Sequence, residues 1–121
     1  MEAVNLKEKF DSFTEAWVPK VVGALNDHLV KVVKFQDEYV WHTHEGEDEM
    51  FLVLSGRVDI HLRDRIVALE EGEFCIVPRG VEHKPVAHGI AQVVLFEPAT
   101  VRNTGDVNHE YTIEAQDLER I

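Results

Sequence analysis

Four residues of this 121-residue chain have the chemistry to hold a metal ion: His42, His44, Glu49 and His83. His42 and His44 stand two apart, and on an extended chain side chains at i and i+2 point to the same side. A carboxylate follows across a short loop, and a third imidazole comes from a later strand. Three imidazoles and a carboxylate suit Fe(II), Mn(II), Ni(II), Cu(II) or Zn(II), the choice depending on geometry and supply. An octahedral ion with four protein ligands keeps two neighbouring positions open for a bidentate molecule, or for a molecule and dioxygen. Glu49 is the candidate catalytic residue, a hard ligand that can also accept a proton.

The other candidates have weaker claims. His28, His61, His88 and His109 lack companions of ligand type and read as structural or surface groups. His61 alternates with Ile60 and Leu62, which turns it to solvent. Cys75, between Phe74 and Ile76, reads as a small core residue. Glu45, Glu47 and Asp48 crowd the loop before Glu49; they read as a solvated loop that also concentrates cations near the site. Trp41 is expected on the side opposite His42, between sheets or at a subunit interface. The expected pocket walls are Val40, Phe51, Val53 and some of Val93, Leu95 and Phe96, an apolar cavity with a metal as its main polar feature. Arg57, Arg63, Arg65 and Arg79 are the arginines available to an anionic ligand, and nothing in the sequence draws any of them to a pocket.

These side chains need a β scaffold. Residues 1–18 form a helical arm: Leu6, Phe10, Phe13 and Trp17 recur at steps of four, three and four, Asn5 and Glu8 form a capping box, and Pro19 ends the pattern. The arm can dock on its own barrel or cross to a partner. Short β-type runs then alternate with turns over residues 19–100. They include Leu29 to Phe35, Tyr39 to His44, Met50 to Leu54, Val58 to Arg63, Ile66 to Leu69, Phe74 to Val77, His83 to Val86 and Ala91 to Phe96. Strands spaced about 8–12 residues apart indicate an all-β sandwich or barrel. Residues 101–121 form a C-terminal tail, packed on the barrel or on a partner.

The length fits one domain. A formal net charge of −11, from 23 acidic and 12 basic residues, argues against nucleic acid and anionic membranes as partners. No apolar run approaches the length of a membrane span. A charged N-terminus without an apolar signal segment, and a lone cysteine, point to the cytoplasm.

The spacing is His42-Thr43-His44, four residues, Glu49, six residues, Gly56; then Gly72, five residues, Pro78-Arg79-Gly80, two residues, His83. It resembles the two signature motifs of the cupin superfamily over roughly residues 36 to 87. Gln36 and Ala87 replace a glycine and an asparagine frequent at the motif edges; neither position supplies a ligand. The resemblance implies an all-β jelly roll, or double-stranded β-helix, with His42, His44, Glu49 and His83 as metal ligands inside it. It also implies a small-molecule ligand and a homodimer built on barrel edges. Function is then expected to be metal-dependent enzymology on a small organic molecule. Because no second acid/base group stands at motif spacing, dioxygenase-like chemistry is favoured over a sugar-isomerase type. The alternative is a non-catalytic module that binds or senses a metal or small ligand.

Overall fold

The apolar stripe of the N-terminal arm does not run as one helix. In the computed structural model, which describes residues 1–121, the helix α1 spans only Leu6–Asp11. Asn5 caps it by accepting from the Glu8 N–H at 3.0 Å, as the capping box predicts. Ser12 closes the last turn with its N–H on Lys9 O. The chain then runs extended beside the barrel, where the Trp17 N–H donates to Lys34 O at 2.8 Å. Trp17 has φ +64°, a left-handed conformation that costs a non-glycine residue about 1 kcal/mol or more. Burial of its ring against Phe35 offsets that cost. Phe10 and Phe13 pack on Val32 and Val94, so the arm covers the outside of its own barrel.

Eight strands follow: β1 (Lys20–Leu25), β2 (His28–Glu38), β3 (Glu49–Ser55), β4 (Val58–His61), β5 (Ile66–Leu69), β6 (Phe74–Val77), β7 (Lys84–Pro98) and β8 (Glu119–Arg120). Two expected boundaries change. The runs His83 to Val86 and Ala91 to Phe96 belong to one continuous β7. Tyr39 to His44 is not a strand: its backbone makes a single antiparallel bridge, His42 to His83. The order β5-β4-β7-β2-β1-β8, with β3 between β7 and β6, folds into a jelly roll. The N-terminal part of β7 pairs with β4 and its C-terminal part with β3, while β2 runs along its other edge.

Alternation sorts the side chains of the two long strands. Val33 and Phe35 of β2, and Ala91, Val93 and Leu95 of β7, face the interior with Phe51, Val53, Val58 and Ile60. Val32 and Val94 face outward, beneath Phe10 and Phe13. The tail stays on this barrel. β8 pairs in parallel with β1, Ile121 N–H donates to Val21 O, and Tyr111 stacks on Tyr39 and Trp17. No helix is long and apolar enough to cross a membrane.

Candidate metal centre

The bridge between residues 42 and 83 sets two of the four side chains face to face. His42 and His83 exchange both backbone hydrogen bonds at 3.0 Å. Each imidazole then folds back so that its Nδ1 lies 2.9 Å from the carbonyl two residues earlier, Val40 O for His42 and Val81 O for His83. A carbonyl only accepts, so Nδ1 carries the proton and Nε2 keeps its lone pair for a metal. His44 follows His42 on the same side, and its carbonyl accepts from the Gly80 N–H at 2.8 Å. Glu49, the first residue of β3, sits opposite Val77.

The four side chains are all buried, and their ligand atoms lie within 4.8 Å of one another. Glu49 Oε1 is 3.3 Å from both His44 Nε2 and His83 Nε2. An ion about 2.1 Å from each donor holds neighbouring donors ~3 Å apart and opposite donors ~4 Å apart, so a small contraction suffices. The donor set fits a divalent transition metal. His44 Nε2 supports this most directly, because it is buried and poorly aligned to Glu49, without a hydrogen-bond partner.

Electrostatics favour the metal-binding protonation states at two positions. Burial, with His83 alongside, pushes His42 down to about 4, so it is neutral at pH 7. Burial also raises Glu49, but its contacts with Glu97, His44 and His83 outweigh it and hold the carboxyl well below its ordinary value. His44 moves the other way. Burial lowers it, yet the adjacent Glu49 carboxylate, with Glu47, gives a net rise.

A further carboxylate lies beside these residues. Glu97, on β7, is buried between Glu49 and Lys31, and Lys31 Nζ donates to its Oε1 at 2.8 Å. Burial and the charge of Glu49 push Glu97 well above its usual range, against the pull of Lys31. The sequence carried a signal for this pair. Val93, Leu95 and Glu97 continue one inward-facing alternation on β7, as Lys31, Val33 and Phe35 do on β2.

A cavity opens next to His42, Glu49 and Glu97, walled by Trp17, Phe35, Tyr39, Phe51 and Leu95. About 30 Å³ of it is accessible to the centre of a water-sized sphere, room for two or three waters. Of the expected walls, Phe51 and Leu95 are present. Val53 and Val93 sit deeper in the core, and Phe96 faces outward to stack on His28. Trp41 packs neither between sheets nor in the pocket: its ring is covered by the Arg63 guanidinium at 3.7 Å, with the Lys84 ammonium at 5.5 Å. Cys75 is only half-buried and lines a separate cleft between β5 and β6. His28 and His88 pair with Asp27 and Asp59, and His61 is half-buried rather than open to solvent. In the acidic loop, Asp48 accepts from the Arg79 N–H and Glu47 from Thr100, leaving Glu49 as its inward-facing acid. None of the four arginines lines the cavity.

The Cupin domain profile matches residues 29–98, which contain every candidate ligand, β2 from its second residue, and β3 to β7. The chain belongs to the cupin family. Among relatives, this cupin is 31% identical over 106 residues to YdbB of Bacillus subtilis, itself uncharacterised, covering 78% of this chain and 88% of YdbB. A cupin-2 domain protein of Shewanella frigidimarina superposes with a TM-score of 0.78 at 40% identity, covering 79% of this chain and 94% of that one. Protein NMB1881 of Neisseria meningitidis gives 0.74 at 28% identity, covering 80% and 99%.

Proposed function

We propose that this cupin is a metal-dependent enzyme acting on a small organic molecule, with His42, His44, Glu49 and His83 as the ligands of a divalent transition metal. The observation that carries the reading is the gathering of three imidazoles and the Glu49 carboxylate within 4.8 Å of one another at the edge of a largely apolar cavity. When bound, the metal supplies Lewis-acid or redox chemistry at its open positions. The chain's own residues do the rest. Val40 and Val81 carbonyls fix the tautomers of His42 and His83. Trp17, Phe35 and Phe51 form the apolar wall that confines the substrate beside the site. Glu49 takes up or returns a proton at its carboxylate.

Oxygenase chemistry is the reaction type proposed first, because it needs no acid/base group beyond the metal and its ligands. The buried carboxylate of Glu97 supports a second reading, proton transfer of the isomerase type, since it provides the second acid/base group that the motif spacing lacks. Elemental analysis of protein purified without added metal tests the centre: about one transition-metal ion per chain is expected, and its absence refutes the centre. Oxygen uptake by iron-loaded protein with small diketones and thiols separates the two reactions. No uptake across the panel rejects the oxygenase.

A cytoplasmic setting and a homodimer complete the proposal. The dimer is supported by the edge strand β6, whose Phe74 and Ile76 stand more than half exposed on one face. Light scattering should give twice the chain mass for the wild type and a lower mass for Phe74→Asp; a monomeric wild type rejects the dimer.

A further inference from the structure

The jelly roll is not closed all the way round. β5 pairs only with β4 and β6 only with β3, so these two strands stand as free edges on either side of a gap. A cleft lies in that gap, walled by Ile60, Val67, Val77 and Val81, and no metal ligand lines it. About 190 Å³ of it is accessible to the centre of a water-sized sphere, against about 30 Å³ in the cavity beside the metal centre. An apolar cavity of about 150 Å³ holds a benzene molecule, so this cleft has room for a single ring or a chain of similar bulk.

Its one charged lining residue is Arg65, between β4 and β5. Arg57 is paired with Asp59 and Glu70, Arg63 with Glu82, Arg79 with Asp48 and Arg102 with Glu114, but Arg65 has no carboxylate partner. Its charge is felt inside the cleft, where it pulls the Cys75 thiol down against burial and Glu49, which push it up to about 11. At neutral pH that thiol is uncharged and leaves the guanidinium free. A planar fork of N–H donors at the rim of an apolar cleft complements a carboxylate carried on an apolar body. A chain of net charge −11 repels anions in general, so selective anion binding here would be a property of this cleft.

We infer that the cleft between β5 and β6 is a second binding site, for a small monocarboxylate whose apolar body of about six carbons fills the cleft while its carboxylate meets the Arg65 guanidinium. The site is separate from the metal centre, and the inference does not depend on the proposed reaction.

Benzoate is the probe. Benzyl alcohol and benzylamine keep the ring and change the charge; acetate keeps the charge without the ring. Binding is followed by NMR through the methyl groups of Val67 and Val81, with the indole N–H of Trp17 reporting on the metal cavity. Protein as purified and protein treated with a chelator should give the same benzoate affinity, because no metal ligand lines the cleft. Benzoate should bind saturably, in the millimolar range for a ligand of its size. It should bind ~5-fold or more tightly than each of the other three. Arg65 is exposed, so Arg65→Gln should fold; it should abolish the preference over benzyl alcohol and leave benzyl alcohol binding unchanged. Shifts that do not saturate, benzyl alcohol or benzylamine binding as tightly as benzoate, or a preference that survives in Arg65→Gln overturn the inference. So does benzoate binding that is lost on chelation, or that is felt at Trp17 and not at Val67 and Val81. Phe74→Ser removes an exposed ring of β6 without adding charge, and should bind benzoate as wild type does. Binding confined to this variant means that a second copy of the chain fills the cleft, which also overturns the inference.

Discussion

Replacing Gly105 with alanine should damage the metal centre from outside it. Gly105 lies in the loop after β7 with φ +56°, and a Cβ built there would meet Thr43 O at 2.3 Å and His42 Cδ2 at 3.2 Å. Thr43 is the residue between the two histidines. The loop grips it twice: Asp106 Oδ1 accepts from the Thr43 N–H at 2.9 Å, and the Asp106 N–H donates to Thr43 O at 3.1 Å. An ordinary carbon–oxygen contact is ~3.3 Å, so backbone must move by about 1 Å to admit the methyl group. Left-handed strain contributes about 1 kcal/mol. Weakening the two hydrogen bonds adds about 1 kcal/mol each. The total of about 3 kcal/mol corresponds to a melting point lower by ~12 °C for a domain of this size. Since Thr43 positions His42 and His44, Zn(II) affinity should fall ~10-fold or more. Gly72→Ala is the control, because Gly72 has φ +84° and nothing within 4 Å. It should lose only the strain, ~4 °C, and bind Zn(II) as wild type does. Circular-dichroism melts and competition with a chromophoric chelator give both quantities. If the two variants match in melting point and affinity, the reasoning from close contact is wrong.

Other outcomes follow from the buried charges. Lys31→Met leaves Glu97 without its cation and should cost about 3–5 kcal/mol in urea unfolding; adding Glu97→Leu should restore most of the loss. His83→Ala should abolish stoichiometric metal binding, read by elemental analysis, while keeping a cooperative melt. Metal-free protein should lose stability in acid through His42. Its folded value of about 4 lies below the unfolded value of 6.5, so the unfolded chain takes up a proton first as pH falls. Between those values the loss from this residue reaches about 3 kcal/mol. Glu49, lowered on folding, adds a loss at still lower pH. His44 opposes both: its raised value contributes stability in acid that disappears as pH climbs through that value. Urea midpoints at pH 7 and 4.5 should therefore differ less in His42→Gln than in wild type, and an equal difference counts against the assignment.

The metal cluster was legible because its residues are chemically rare and their spacing is short-range. Facing depends on parity alone, so His42 and His44 point inward together although their segment lacks the ladder of a strand. The helical arm was half legible. A period of 3.6 identified Phe10, Phe13 and Trp17 as buried, but the same apolar steps suit an extended chain laid over a barrel, and Ser12 ends the helix early. Cys75 packs against the core as expected but is only partly buried, because β6 alternates at the edge of the sheet and leaves Phe74 and Ile76 outside. Glu97 went unread for another reason: 66 residues separate it from Lys31. Only the register of β2 with β7 pairs an inward lysine with an inward glutamate, and register is not written in either strand alone.

The long strand β7 bears on how the molecule comes to exist. It borders β2, β3 and β4, which makes it the seam through which both halves of the barrel are joined. While the chain is being synthesised, everything up to His83 emerges before that seam exists, and the earlier strands have exposed edges with no neighbour to close them. Closure of the barrel therefore waits for the last third of the chain, although β1 with β2, β3 with β6 and β4 with β5 can pair before it. Metal capture belongs after that event, because His83 enters the site only as the strand that follows it is drawn into place.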